Sequence, residues 1–197
     1  MNLTYKELKK RICDLLCVDV TDTAAGSFYS VIEPLILSTV NAVADKVALG
    51  LRCLLKEEAL VFEKSAFGAR ALLPKNFAAA RRILAGGQIF VGERIEALGD
   101  HIYFIEGEAG THTLSYYAFA EPFSEERGDE PIPFDDFDAD TVAYGAAAEL
   151  CHSLYPSDMT RFVRLMTEFD TRMTRFSDRL GETSVKNTVF CGKRGVG

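Results

Sequence analysis

Tryptophan is absent from this chain, so the aromatic bulk of any core must come from 14 Phe and 7 Tyr. Long apolar runs are missing too. None approaches the ~20 residues that cross a bilayer, and no membrane partner is expected. A basic stripe is also lacking. Net charge is −7, and residues 121–140 carry nine acids against one base, Arg127, which leaves everything else at +1. Proteins that grip DNA displace phosphate counterions with clustered Lys and Arg, so specific DNA binding is not expected.

Several chemical signatures are missing as well. The glycine-rich pieces "LAGGQIFVGER" and "CGKRGVG" do not fit a phosphate loop, which needs Gly, four residues, then Gly-Lys-Ser/Thr opening a helix. Neither G-x-S-x-G nor H-E-x-x-H occurs. No cofactor, metal or catalytic residue is therefore expected. Cysteines number five, an odd count: Cys13, Cys17, Cys53, Cys151 and Cys191. The opening "MNLTYKELKK" lacks the apolar segment of a signal peptide, and reduced thiols in a cytoplasmic setting are expected. Cys13 and Cys17 could present two ligands on one helix face, but no second pair completes a zinc site. His101 and His112 fall in a strand-rich region. Cys151 and His152 are helix neighbours that point about 100° apart, so they do not serve each other as nucleophile and base.

What the sequence does contain is a length of 197 residues, 48% apolar and 26% charged, the profile of a soluble domain able to bury roughly 70% of its unfolded surface. Thr4 and Glu7 form a capping box ahead of Leu8, Ile12, Leu15 and Leu16, which predicts a helix over 4–18. A second helix is expected over about 27–56, with Ile32, Leu35, Ile36, Val40, Val43, Val47 and Leu51 inward and Asn41 and Asp45 facing away. Pro34 fits there only near the first turns. From Glu58 to Phe119 the text breaks into seven short runs: "EALVF", "ARALL", "RRILAGG", "QIFV", "RIEAL", "HIYFI" and "THTLSYYAF". Gly99-Asp100 between two of them reads as a two-residue hairpin turn. Leu114, Tyr116 and Ala118 share one face of the last run.

Helix returns over about 138–155, stopped by Pro156. Ser157 or Asp158 caps another, running to about Leu180, whose Met159, Phe162, Met166, Phe169, Met173, Phe176 and Leu180 keep a three-four spacing. The short loop between them predicts an antiparallel hairpin. The expected fold is therefore α+β in one domain, 1–197. It has a mainly α-helical body (about 1–57 and 138–181, the N-terminal helices plus the C-terminal hairpin). A small antiparallel sheet or sandwich is inserted at about 58–120, an acidic connector spans 121–137, and a tail covers 182–197.

The acidic connector poses the central question. Asp136, Asp138 and Asp140 alternate like the first ligands of a calcium loop. Thr141 stands where that loop needs Gly, and Ala147 where it needs a bidentate Glu. Carboxylates at a helix start, meeting free amides and the positive dipole end, explain the pattern better.

The order of parts carries a resemblance. "ALLPKNFAAARRILAGGQIF" holds an LP-x-x-F piece in Leu73, Pro74 and Phe77. "YGAAAEL" holds a Y-x-A-A-A-E-L helix in Tyr144, Ala146, Ala147, Ala148, Glu149 and Leu150. With the lead-in "DEPIPFDDF" and the final hairpin, the chain resembles the head–tail connector (adaptor) proteins of tailed bacteriophages and prophages. That resemblance implies a structural virion protein, assembled in the bacterial cytoplasm. It would dock as a ring on the portal protein, seat a downstream tail component and let DNA pass without binding it. It implies partner contacts through the tail, with Val185, Val189 and Phe190 as apolar anchors beside Lys186, Lys193 and Arg194. On this view Glu125, Glu126, Asp129, Glu130, Asp135 and Asp136 face the channel or a neighbouring subunit, or merely keep the monomer soluble. Two rivals stand beside this reading. One is a small cytoplasmic bacterial binding or regulatory module whose sheet takes a peptide or ligand, which a shallow apolar groove would support. The other is an enzyme combining distant residues such as Cys151, His101 and Asp136, which a deep polar pocket would support.

Overall fold

A computed structural model describes residues 3–24 and 26–179; the side chains of 136, 137 and 175–179 lie outside that description. The chain divides into a helical unit, 3–53 with 120–179, and a sheet unit, 54–119.

In the helical unit, α1 (Tyr5–Leu16) opens on the expected capping box: the Thr4 amide donates to Glu7 Oε2 at 2.8 Å, and the Glu7 amide to Thr4 Oγ1 at 3.3 Å. It ends at Cys17, in the left-handed conformation at φ 56°, with the Val18 amide returning to the Cys13 carbonyl. α2 (Phe28–Leu51) is capped by Ser27 and contains Pro34. It stops short of the expected Lys56 because Arg52 takes a left-handed cap and Leu55 already begins a strand. Leu35, expected inside, is exposed. By length and composition α2 could cross a membrane, contrary to the expectation that no stretch comes close; Ile32, Ile36, Val40, Val43 and Val47 are nevertheless buried within the helical unit.

α3 (Asp136–Leu154) packs against α1, α2 and α4 (Met159–Arg179). Crowding on several sides explains its small residues: Ala139, Ala143, Ala146, Ala147 and Ala148 are all buried. The pairings His152 with Phe162 and Tyr144 with Arg172 run in opposite senses along the two helices, so α3 and α4 form the expected antiparallel hairpin. The expected apolar seam of α4 is only partly inward. Met159 is 50% exposed, whereas Leu165, one residue off the seam, is 1% exposed.

The sheet unit overturns the expected fold class. A small sheet or sandwich inserted in a mainly helical body was anticipated. The unit instead holds one seven-stranded antiparallel sheet, curled like a half-barrel. Its strands are β1 (Leu55–Ser65), β2 (Gly68–Leu72), β3 (Phe77–Ala85), β4 (Gln88–Phe90), β5 (Ile95–Leu98), β6 (His101–Ile105) and β7 (Gly110–Ala118), in the order β4-β3-β7-β1-β2-β6-β5. The reason lies in β1. It is long enough to pair with β7 over Leu55–Phe62 and with β2 over Glu63–Ser65, so one strand knits two ladders into a single sheet. Two register shifts in β3 against β7 bend that side, and β3 comes into contact with β5 from the far end of the strand order. The inward face fills with Phe62, Ile83, Ile102, Phe104, Leu114, Tyr116 and Ala118. The hairpin at Gly99-Asp100 is as expected: Leu98 pairs with His101, and Gly99 supplies the positive φ of 63°.

Candidate functional site

Most acids of the lead-in are tied to the helical unit. Glu125 Oε1 accepts from Lys9 Nζ and from the Tyr5 hydroxyl, each at 3.2 Å, and Lys9 also reaches Glu33 at 3.0 Å. The Lys9 side chain is only 12% exposed. Burial opposes its charge, but the hydrogen bonds to Glu33 and Glu125 outweigh that and hold its pKa above the ordinary lysine range. The Lys9 and Tyr29 hydroxyl bonds hold Glu33 below the ordinary carboxylate range. Asp129 meets Lys6 at 2.8 Å, and Glu130 lies 3.9 Å from Arg127. Asp135 is the α3 N-cap, accepting from the Asp138 amide at 2.8 Å. Asp140 pairs with Arg11 and lies 4.0 Å from Arg172. Glu126 is exposed, and the Asp136 side chain lies outside the described residues.

Asp138 is buried at the start of α3. Burial, then the charge of Asp135, raises its pKa from the ordinary aspartate value, while the Cys53 thiol donates to it and pulls the other way. No cluster of three or more His, Cys, Asp or Glu suited to a metal occurs among the described residues. The calcium-like alternation is thus divided: Asp138 is buried, Asp140 is turned to arginines, and Asp135 rather than Asp136 is the cap.

The four described cysteines are free. Cys13 is buried while Cys17 is exposed at the α1 terminus; Cys151 is buried. His152 stacks on Phe162, ring centroids 4.8 Å apart. His101, beside Asp100, belongs to the sheet unit, and Cys151 to the helical unit. His112 Nε2 donates to the Glu108 carbonyl at 2.8 Å; its Nδ1 is buried with no hydrogen-bond partner among the described residues. Val185, Lys186, Val189, Phe190, Lys193 and Arg194 lie outside the described residues.

The surface feature with most capacity to bind lies on the outward face of the sheet. A cleft of about 300 Å³ opens between β1 and β2, lined by Leu60, Val61, Glu63, Arg70, Leu72 and His101. Val61 and Leu72 are 69% and 64% exposed. On β6 and β5, His101 and Leu98 continue the row begun by Leu72.

Asn41, expected to face away, and Ser115, expected on the face opposite Leu114 and Tyr116, make contacts that the sequence did not announce. Asn41 clamps the lead-in: its Oδ1 accepts from the Phe123 amide at 2.7 Å, and its Nδ2 donates to the Phe123 carbonyl at 3.3 Å. Its polar side chain inside an apolar helix was the available signal. Ser115 is buried on the outward face, and its hydroxyl donates to Glu57, which also takes Arg82 at 3.0 Å. Alternation alone placed Ser115 outward and gave no sign of the ion pair above it. Comparison with known protein families and with curated proteins finds no match for this chain.

Proposed function

We propose that this chain is a structural head–tail connector of a tailed phage or prophage, which docks as a ring on the portal and seats the next tail component. The observation that carries the reading is the connectivity. The chain builds two helices, leaves at residue 54 for a complete sheet unit, and returns at residue 120 through the acidic lead-in to the helix hairpin. The pieces that carry the resemblance have places in this plan. Pro74 accepts the Phe77 amide in the turn into β3, and Phe77 packs near Tyr116, ring centroids 5.8 Å apart. Ala146, Ala147 and Ala148 sit in the buried heart of α3. Two dissimilar folded units offer the two different surfaces that a closing ring requires. The test is cosedimentation of the full chain with the portal ring of its own phage or prophage. Saturable binding at one chain per portal subunit is expected, and no binding refutes the reading.

One observation favours the binding-module reading instead: the sheet carries a cleft of mixed apolar and charged lining beside a strand edge, a place where an extended peptide can add. A genomic setting without portal, terminase and capsid genes would select that reading.

A further inference from the structure

The cleft exists because a ladder stops early. β1 and β2 pair only at Glu63–Arg70, Lys64–Ala69 and Ser65–Gly68. Had the register continued, Val61 would stand opposite Leu72. Instead the strands part. From Leu55 to Phe62 β1 is laddered to β7, and Ala71 and Leu72 are laddered to β6. In an antiparallel ladder, alternate residues turn their N–H and C=O groups away from the partner strand. Both lips of the cleft therefore present backbone groups beside exposed Val61 and Leu72. A strand edge flanked by apolar side chains is a template for one more strand.

The chain itself carries a segment of matching chemistry. After Arg179, which ends α4, 18 residues remain. Residues 183–191 read "TSVKNTVFC". Thr183, Val185, Thr188 and Val189 are β-branched, as strands favour. Extended, Val185 and Val189 share one side and Lys186 and Phe190 the other. Nine residues span ~30 Å, against the ~23 Å of the seven-residue edge from Leu55 to Val61. The cleft itself is balanced in charge, Glu63 standing opposite Arg70, so the match rests on length and on the apolar pattern.

We propose that residues 183–191 of one copy add as a strand along β1 in the β1–β2 cleft of a second copy, with Val61 and Leu72 seating its apolar side chains. This rests on the connector reading, because a ring needs one surface of each copy to meet a different surface of the next. Strand and cleft are such a pair, and they name the neighbouring copy as the partner of the C-terminal segment.

The test uses the full-length chain without portal. In sedimentation velocity the wild-type chain self-associates as concentration rises, and a labelled peptide of residues 182–194 dissociates the assemblies. The full-length Val185→Asp/Val189→Asp variant stays monomeric and binds the peptide. Adding Val61→Lys or Leu72→Asp to that variant weakens peptide binding at least about tenfold. Ile89→Lys on β4, also at an exposed position, leaves it unchanged. A wild-type chain monomeric at every concentration overturns the proposal, as does peptide affinity that ignores Val61 and Leu72. Portal binding is read separately, so either result can fail while the other stands.

Discussion

Gly145 lies within α3 where α2 and α4 both press on it. A Cβ there would stand 2.7 Å from Val43 Cγ1, and 2.8 and 2.9 Å from Cε2 and Cδ2 of Phe169. Non-bonded carbons prefer ~3.5–4.0 Å. Val43 is branched and buried, and a phenyl ring is rigid, so neither neighbour has a loose end to swing aside. Two terms compete in Gly145→Ala. Alanine is favoured over glycine in a helix interior by ~1 kcal/mol. Overpacking a filled core costs ~1–3 kcal/mol. The net expectation runs from neutral to a loss of ~2 kcal/mol. Gly50→Ala on α2 is the control, because its new Cβ meets only the thioether end of Met173, which can turn away. There the propensity gain should survive, giving a neutral change or a gain of up to ~1 kcal/mol. Urea unfolding followed by far-UV circular dichroism ranks the variants, and the expected midpoint order is Gly50→Ala at or above wild type, then Gly145→Ala. The cost of Gly145→Ala should shrink in a Phe169→Leu background, since the two side chains claim the same space. A Gly145→Ala midpoint equal to or above that of Gly50→Ala would refute the notch.

Three further outcomes follow from the helical unit. The pKa of Asp138 is raised on folding, so its contribution is full below the ordinary aspartate value of ~3.9 and is lost as pH rises through the folded-state value; Asp138→Asn should be more stable than wild type at neutral pH, with the gap closing on acidification, and a less stable variant at neutral pH contradicts this. Arg161 donates to the Leu16 carbonyl at 3.0 Å, pairs with Asp158 and lies 5.8 Å from the Tyr155 ring centre. Arg161→Ala should therefore cost ~1–2 kcal/mol in urea unfolding, and Arg161→Lys should recover little because lysine lacks the planar fork. In a Cys191→Ser background a thiol reagent should reach exposed Cys17 first, and Cys13 and Cys151 only on unfolding, since both are buried and burial lifts the Cys13 pKa to about 11; early labelling of Cys13 would count against the packing of α1.

Local chemistry was legible and non-local pairing was not. The Thr4–Glu7 box, the Gly99-Asp100 turn, the short α3–α4 loop and all seven strand runs announce themselves within a few residues of sequence. Each rests on a hydrogen bond or a φ angle that neighbours decide. The size and curl of the sheet do not. They depend on β1 splitting its length between β7 and β2, which are joined to it by chain segments of very different length, and no periodicity inside "LKEEALVFEKS" says where one ladder hands over to the other. The inward face of α4 failed for a related reason. The seam is kept at Phe169, which packs where Gly145 leaves room, but Leu165, one position off it, is the residue buried deepest and Met159 at its start is exposed.

The acidic run shows how far composition can mislead about a site. Taken alone, residues 121–140 sum to −8, which invites a reading as a repulsive channel lining. Much of that charge meets cations from elsewhere in the helical unit: Lys6 at Asp129, Lys9 at Glu125, and Arg11 and Arg172 at Asp140. Asp135 turns toward helix amides, and Asp138 is buried. These cations offset part of the run's formal charge, less than their number suggests because Lys9 is shared with Glu33 and Arg172 with Glu168. Its first duty is to strap the returning chain onto α1 and to open α3. Any part it plays against DNA falls mainly to exposed groups such as Glu126, so neutralising Glu126 should alter a charge-dependent function without unfolding the chain, whereas neutralising Glu125 should loosen α1.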